Sequence, residues 1–195
     1  KVTLSGPVNG TIKTASATGV IQDDDSGSGQ TYNGTEAGNT YAGGPGDDTI
    51  NGNGGADKLS GGAGKDTING GNGGDRITGN AGADLLTGGA GPDVFVFTAL
   101  SDSTPALAGR DQILDFSHAD KDKINLQAID ANANLANNQA FHLVADDFTG
   151  APGEISISSW GKKHLVQADV DGDGVADFAV TVFSDTVLVG SDFVF

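Results

Sequence analysis

Residues 43–96 are one nine-residue phrase repeated six times: GGPGDDTIN, GNGGADKLS, GGAGKDTIN, GGNGGDRIT, GNAGADLLT and GGAGPDVFV. The sixth position is always Asp (Asp48, Asp57, Asp66, Asp75, Asp84, Asp93) and the eighth always apolar (Ile50, Leu59, Ile68, Ile77, Leu86, Phe95). The fourth is always Gly (Gly46, Gly55, Gly64, Gly73, Gly82, Gly91), and the second is Gly or Asn (Gly44, Asn53, Gly62, Gly71, Asn80, Gly89). A degenerate unit, GTEAGNTYA, precedes them, with Thr35 and Ala37 in the second and fourth places, Asn39 in the Asp place and Tyr41 in the apolar place. One unit can bury one side chain, so no unit is stable alone, and the units must stack.

The physics of one unit follows from its letters. Gly-Gly-x-Gly-x-Asp is a turn, because glycine permits positive φ and close backbone approach. The remaining x-U-x is a very short strand with U facing one way. Successive strands alternating between two facing sheets let the U residues meet. Two units then make one coil, and Asp48 lies over Asp66, Asp57 over Asp75, Asp66 over Asp84 and Asp75 over Asp93. Stacked carboxylates repel unless a cation sits between them. Oxygen-only donors select a hard ion with six to eight flexible contacts, which is Ca²⁺ rather than Zn²⁺ or Mg²⁺. A flexible Gly-rich linker is the competing reading, but a linker has no need of a fixed apolar position.

The phrase resembles the RTX (repeats-in-toxin) family, whose repeat is G-G-x-G-x-D-x-U-x and whose fold is a calcium-bound parallel β-roll. That resemblance implies ligands from the carbonyls of positions two and four and the Asp at six, bridging units i and i+2. Carried over, the set is Thr35, Ala37, Asn39, Gly44, Gly46, Asp48, Asn53, Gly55, Asp57, Gly62, Gly64, Asp66, Gly71, Gly73, Asp75, Asn80, Gly82, Asp84, Gly89, Gly91 and Asp93. It implies about five ions in the roll, fewer if Asn39 is a poor ligand. Asn53 and Asn80 depart from Gly, but Asn tolerates the left-handed region, so their sites should survive.

Composition agrees. The net charge is -16, carried by 24 Asp against only Glu36 and Glu154. A bias to the shorter carboxylate suits turns and cation ligands. The charge argues against nucleic acid. There is no Cys, which excludes disulfides and thiolate metal sites, and no apolar run long enough to span a membrane. There is no Met either, so the chain is expected to be a piece of something longer.

Three regions are expected. Residues 1–25 read as two short strands and an acidic tail. Their ending, GVIQDDD, resembles the last strand of a Calx-beta-type sandwich repeat, which implies such repeats upstream. Asp23, Asp24 and Asp25 are either a calcium clamp at that junction or a solvated linker. Residues 26–96 form the roll. The stretch 26–42 has a linker-like composition, yet Tyr32 and Tyr41 keep the nine-residue spacing. Residues 97–195 hold alternating apolar runs: QILDF, KINLQ, QAFHLV, EISISSW, KHLVQADV, DFAVTVF and TVLVGSDFVF. They suggest an antiparallel sheet or sandwich, with 128–138 a short helix or a loop. The expected class is all-β: a parallel β-roll capped by an antiparallel, sandwich-like C-terminal part.

GGAGPDVFVFTALSDSTP, ILDFSHADKDKINLQAIDAN, LVQADVDGDGVADF and the terminal SDFVF resemble the C-terminal module of serralysin-type secreted metalloproteases. In that family the module caps the roll and carries an uncleaved C-terminal signal for type I secretion through an ABC transporter. Asp115 and Asp122 have the spacing of an extra ion in serralysin-like proteins; solvated hairpin charge is the alternative. Asp169, Asp171, Asp173 and Asp177 copy the first part of an EF-hand loop, but Val180 stands where the bidentate Glu belongs. A tight hairpin turn is the alternative there.

No H-E-x-x-H or G-x-S-x-G occurs, so no catalytic residue is assigned. His118, His142 and His164 read as surface or sheet residues, Asp146 and Asp147 as a turn. Trp160 reads as a partly buried sheet residue before a charged turn. The expected function is calcium-dependent folding and type I secretion of a large bacterial protein, located outside the cell or on its surface. The expected partners are the transporter while the chain is unfolded and the upstream domains of the same chain. The chain is expected to be a monomer. The alternative is a calcium-dependent polysaccharide-binding or adhesive module.

Overall fold

The computed structural model describes residues 21–22, 27–132, 134–145 and 147–195. Among the described residues, the repeat region and those before it supply nine strands. They are β1 (Ile21–Gln22), β2 (Thr31–Asn33), β3 (Thr40–Pro45), β4 (Thr49–Gly54), β5 (Lys58–Ala63), β6 (Thr67–Asn72), β7 (Arg76–Ala81), β8 (Leu85–Ala90) and β9 (Val94–Val96). Odd-numbered strands lie in one sheet and even-numbered strands in the other, all parallel. Partners in the repeats are two units apart: Ile50 opposes Ile68, and Leu59 opposes Ile77.

Each full strand runs longer than the x-U-x of one unit. β4 continues through the first three residues of the next unit, and Asn53 still pairs with Gly71. The turn proper is therefore confined to positions four to six. Residues with positive φ keep the ladder running where ordinary side chains would break it: Gly62 has φ 127° and Asn53 φ 73°.

One side chain per unit fills the space between the sheets. Ile50, Leu59, Ile68, Ile77, Leu86 and Phe95 are all buried. Tyr41 continues the row and stacks on Tyr32 at 4.0 Å, 11° from parallel. Strand β2 carries Tyr32, so 26–42 contributes an additional strand to the roll rather than only a linker.

The later strands are β10 (Gln112–Phe116), β11 (Lys123–Asn125), β12 (His142–Leu143), β13 (Glu154–Trp160), β14 (Lys163–Asp169), β15 (Phe178–Ser184) and β16 (Phe193–Val194). The antiparallel expectation holds for β13, β14 and β15. It does not hold for QILDF, KINLQ or QAFHLV, whose β12 pairs parallel with β13. β10 pairs parallel with β8 and β11 parallel with β9, so both sheets pass residue 96 without a break. The reason is local: Asp111-Gln112-Ile113 and Asp122-Lys123-Ile124 are Asp-x-U again, with both Ile side chains buried. β15 then joins β10 in parallel, and β16 joins β11. The core widens there: Phe97 meets Phe178 edge-on at 5.1 Å.

Other expectations fall differently. Among the described residues of 128–138 there is no helix. TVLVGSDFVF yields a 3₁₀ turn, Gly190–Asp192, and the short β16. Trp160 is 62% exposed, because it ends β13 beside a two-residue turn that nothing covers. His164 faces the core and its Nδ1 meets Ser159 Oγ at 2.7 Å, while His118 Nδ1 meets Asp192 at 2.6 Å. The reading of 1–25 lies outside the described residues, except that the backbone of β1 pairs with β3. Asp146 lies outside them too.

If the roll rests on one apolar residue per strand, Ile77→Ala should cost about 2–5 kcal/mol, the range for truncating a buried aliphatic side chain. Denaturant unfolding of the folded chain measures it, with exposed Thr67→Ala as control.

A candidate metal centre built from two aspartate ladders

The parallel register sets the aspartates in two files. One runs Gln30, Asp48, Asp66, Asp84, Asp111; the other runs Asn39, Asp57, Asp75, Asp93, Asp122. In each file the backbone N–H of one member donates to Oδ1 of the next. Gln30 donates to Asp48 at 2.6 Å, Asp48 to Asp66, Asp66 to Asp84 each at 2.8 Å, and Asp84 to Asp111 at 2.9 Å. In the other file Asn39 donates to Asp57 at 2.6 Å, Asp57 to Asp75 and Asp75 to Asp93 each at 2.8 Å, and Asp93 to Asp122 at 3.0 Å.

That bond accounts for one oxygen of each carboxylate. The other, Oδ2, is buried and has no hydrogen-bond partner among the described residues in Asp57, Asp66, Asp75, Asp84, Asp93 and Asp111. Such an atom is costly unless a proton or a cation meets it. Burial pushes these carboxyls above the ordinary 3.8, and neighbouring carboxylates add to the rise. Asp66 reaches about 6, Asp84 and Asp93 about 7, and Asp111 about 9. Asp57 and Asp75 move the same way, chiefly by burial.

The glycines make room for this arrangement. A Cβ at Gly61, Gly70 or Gly88 would collide with Oδ2 of the Asp five residues on. At positions two and four, a Cβ at Gly62, Gly64, Gly71 or Gly73 would strike the carbonyl oxygen of the residue eighteen earlier: Gly44, Gly46, Asn53 and Gly55 respectively. Carbonyl oxygens and unpartnered carboxylate oxygens thus line the same turns. This all-oxygen donor set fits a hard cation of calcium size. Asn80, like Asn53, holds positive φ, at 68°, as its place requires. At the degenerate unit, Asn39 Oδ1 instead accepts from Thr35 N–H at 2.7 Å, and Ala37 N–H turns to Thr35 Oγ1 at 3.2 Å.

The C-terminal aspartates are more heterogeneous. Asp122 ends one ladder, and its Oδ2 accepts from Ser117 N–H at 2.8 Å. Asp115 lies close to Asp93 and Asp122, and its two oxygens accept from Gly88 and Gly89 N–H at 2.9 and 2.8 Å. Asp169, Asp171 and Asp177 offer oxygens within 4.8 Å of one another; Asp173 is not in that group. Asp169 already accepts from Gly172 and Gly174, as a tight turn would. Asp111 escaped the sequence reading because it lies outside the nonapeptides. Its signal was Asp-x-U before a strand, the rule that marks the repeats.

Two outcomes follow. Gly62→Ala should destabilise the folded chain by roughly 1–3 kcal/mol from its backbone alone, and more from the collision with Gly44, whereas Asn80→Gly should be nearly neutral; thermal melting with calcium present separates them. The raised carboxyl values also set a sign. A folded form that holds more protons than the unfolded chain is favoured below pH 3.8, and that advantage is lost as pH rises through about 6 to 7. The chelator-treated chain should therefore show more β circular dichroism at pH 4.5 than at pH 8. Equal signals would contradict the burial of these groups.

The family model described as peptidase M10 serralysin C terminal matches residues 38–195. Among solved structures, the AlgE6R2 subunit of the Azotobacter vinelandii mannuronan C5-epimerase is 26% identical with a TM-score of 0.53, over 76% of this chain and 88% of that one. The AlgE6R3 subunit is 27% identical with a TM-score of 0.49, over 86% and 78%. No curated protein matches the chain.

Proposed function

This chain belongs to the family of peptidase M10 serralysin C-terminal regions, and from that premise we propose that it is a calcium-dependent folding and secretion module rather than an enzyme. The observation that carries the reading is the pair of ladders, with a buried, unpartnered oxygen on successive aspartates. Calcium, when bound, supplies the positive charge these carboxylates lack. Asp48, Asp57, Asp66, Asp75, Asp84 and Asp93, with the carbonyls of positions two and four, would hold it. The roll places one apolar side chain per unit in the core between its sheets, too little to oppose chain entropy and carboxylate repulsion together. In the calcium-poor cytosol the module then stays unfolded, and outside the cell it folds.

The C-terminus is consistent with that order of events. Phe193 is buried in β16 at a sheet edge, and Phe195 stacks on it at 5.5 Å. A transporter that reads the last residues meets them only before folding. In this proposal the upstream domains of the same chain are the second partner. The roll-borne ions number about five in this proposal. Asp115 with Asp122, and Asp169 with Asp171 and Asp177, are weaker additions, since backbone N–H groups already engage Asp115, Asp122 and Asp169. Among the described residues no helix is long and apolar enough to cross a membrane.

A second reading, binding of an anionic polysaccharide, draws on one row of the odd-numbered sheet. Lys58, Arg76, Val94 and Lys123 oppose one another in register across β5, β7, β9 and β11, and Lys58 and Arg76 are exposed. Saturable retardation in an alginate gel at fixed calcium, lost in Lys58→Ala/Arg76→Ala, would promote it.

The deciding experiment titrates calcium into the chelator-stripped chain under far-UV circular dichroism, with magnesium as control. A cooperative, calcium-specific rise in β signal between micromolar and millimolar is expected. A folded apo chain indifferent to calcium would remove the folding switch.

A further inference from the structure

The two ladders end differently. Asp122 closes one of them: both of its oxygens accept backbone N–H groups, from Asp93 and Ser117. Asp111 leaves the other open. It is fully buried, Oδ1 accepts from Asp84 N–H at 2.9 Å, and Oδ2 has no partner among the described residues. Asp84 Oδ2 is likewise buried and unpartnered. The two meet at Gly79, where a Cβ would collide with Asp84 Oδ2 and lie 3.0 Å from Asp111 Oδ2. Two bare carboxylate oxygens therefore flank one small space that a side chain is absent from.

We propose that Asp84 and Asp111 form a further hard-cation site, of calcium size, at the junction of the roll with the C-terminal sheet, and that it couples the folding of the two. The proposal rests on the reading of the ladders as calcium sites. Oxygen donors from protein favour calcium over magnesium, which keeps its water shell. The coupling comes from the backbone of Asp111. Its N–H donates to Ser103 Oγ at 2.9 Å, and that hydroxyl donates to Ala179 O at 2.5 Å. Its carbonyl accepts from Thr181 N–H at 3.0 Å, and Ala179 N–H donates to Ser103 O at 3.2 Å. The side chain of Asp111 belongs to the roll, while its main chain is tied to β15. Charge left uncompensated at Oδ2 pushes these two attachments apart; a cation there holds them together.

The test uses the full chain and Asp111→Asn, which keeps an oxygen for Asp84 N–H and the same volume but removes the charge. Calcium stoichiometry by native mass spectrometry should fall by one ion relative to wild type. Hydrogen exchange at Ala179 and Thr181 should lose its calcium-dependent protection by about tenfold or more, the weight of one charged contact, while amides of β4 and β6 keep theirs. Wild type that binds no calcium overturns both this site and the reading beneath it. Wild type that binds calcium, with Asp111→Asn binding as many ions and protecting β15 equally, overturns this site alone. Should the variant not fold, crystals of wild type loaded with a lanthanide decide. An anomalous peak about 2.3–2.6 Å from both oxygens supports the site; peaks in the roll with none beside Gly79 overturn it.

Discussion

Asp57, Asp66, Asp75, Asp84 and Asp93 each accept one backbone hydrogen bond on Oδ1, and among the described residues nothing bonds Oδ2. The N–H of Asp66 satisfies Asp84 Oδ1, and no group among the described residues satisfies Asp84 Oδ2. The sheets can stack only if that second oxygen is met by a proton or a metal, since a bare carboxylate in a dry turn costs several kcal/mol. The rest of the molecule follows from this. The glycines are where they are because Cβ atoms would fill the space the oxygens need. The core is narrow because each unit sets one apolar side chain between the sheets.

On the proposed reading, a protein built this way draws part of its stability from an ion outside its own chain. An ordinary domain of this length buries a broad apolar core. Here the row from Tyr41 to Phe95 is a single file between two sheets. The wider core, around Phe97, Phe116, Phe178 and Val180, lies at the C-terminal end, where β10 and β15 join the roll. Under the proposed calcium-dependent folding, that end would support the ordering of the roll. It also holds β16, so Phe193 and Val194 are part of the same sheet as the roll.

The legible part of the structure was the part with a period. Asp48 over Asp66, the alternation between two sheets, and positive φ at Asn53 and Asn80 all follow from the repeat, because each unit meets the same neighbours. Tyr32 was legible through its distance from Tyr41, although Gln30 in the Asp place hid the strand. The pattern ended where the spacing did. Asp111 comes 27 residues after Asp84, not 18, and the excursion between them carries the 3₁₀ turns at Leu100–Asp102 and Leu107–Gly109. Spacing cannot register a strand across an insertion of that kind. Trp160 shows the same limit: an alternating strand pattern says which face a residue takes, but not whether anything covers it.

The sequence alone therefore determined the unit, its stacking distance and its demand for a hard cation, since these are local consequences of glycine, aspartate and one apolar residue repeated at short range. Tertiary structure alone decided how far the roll extends, which later aspartates join its ladders, and which are already satisfied by backbone N–H groups. The physical reason is that a carboxylate's need for a partner is written in its neighbours in space. Outside the repeats, those neighbours are chosen by the folding of distant strands.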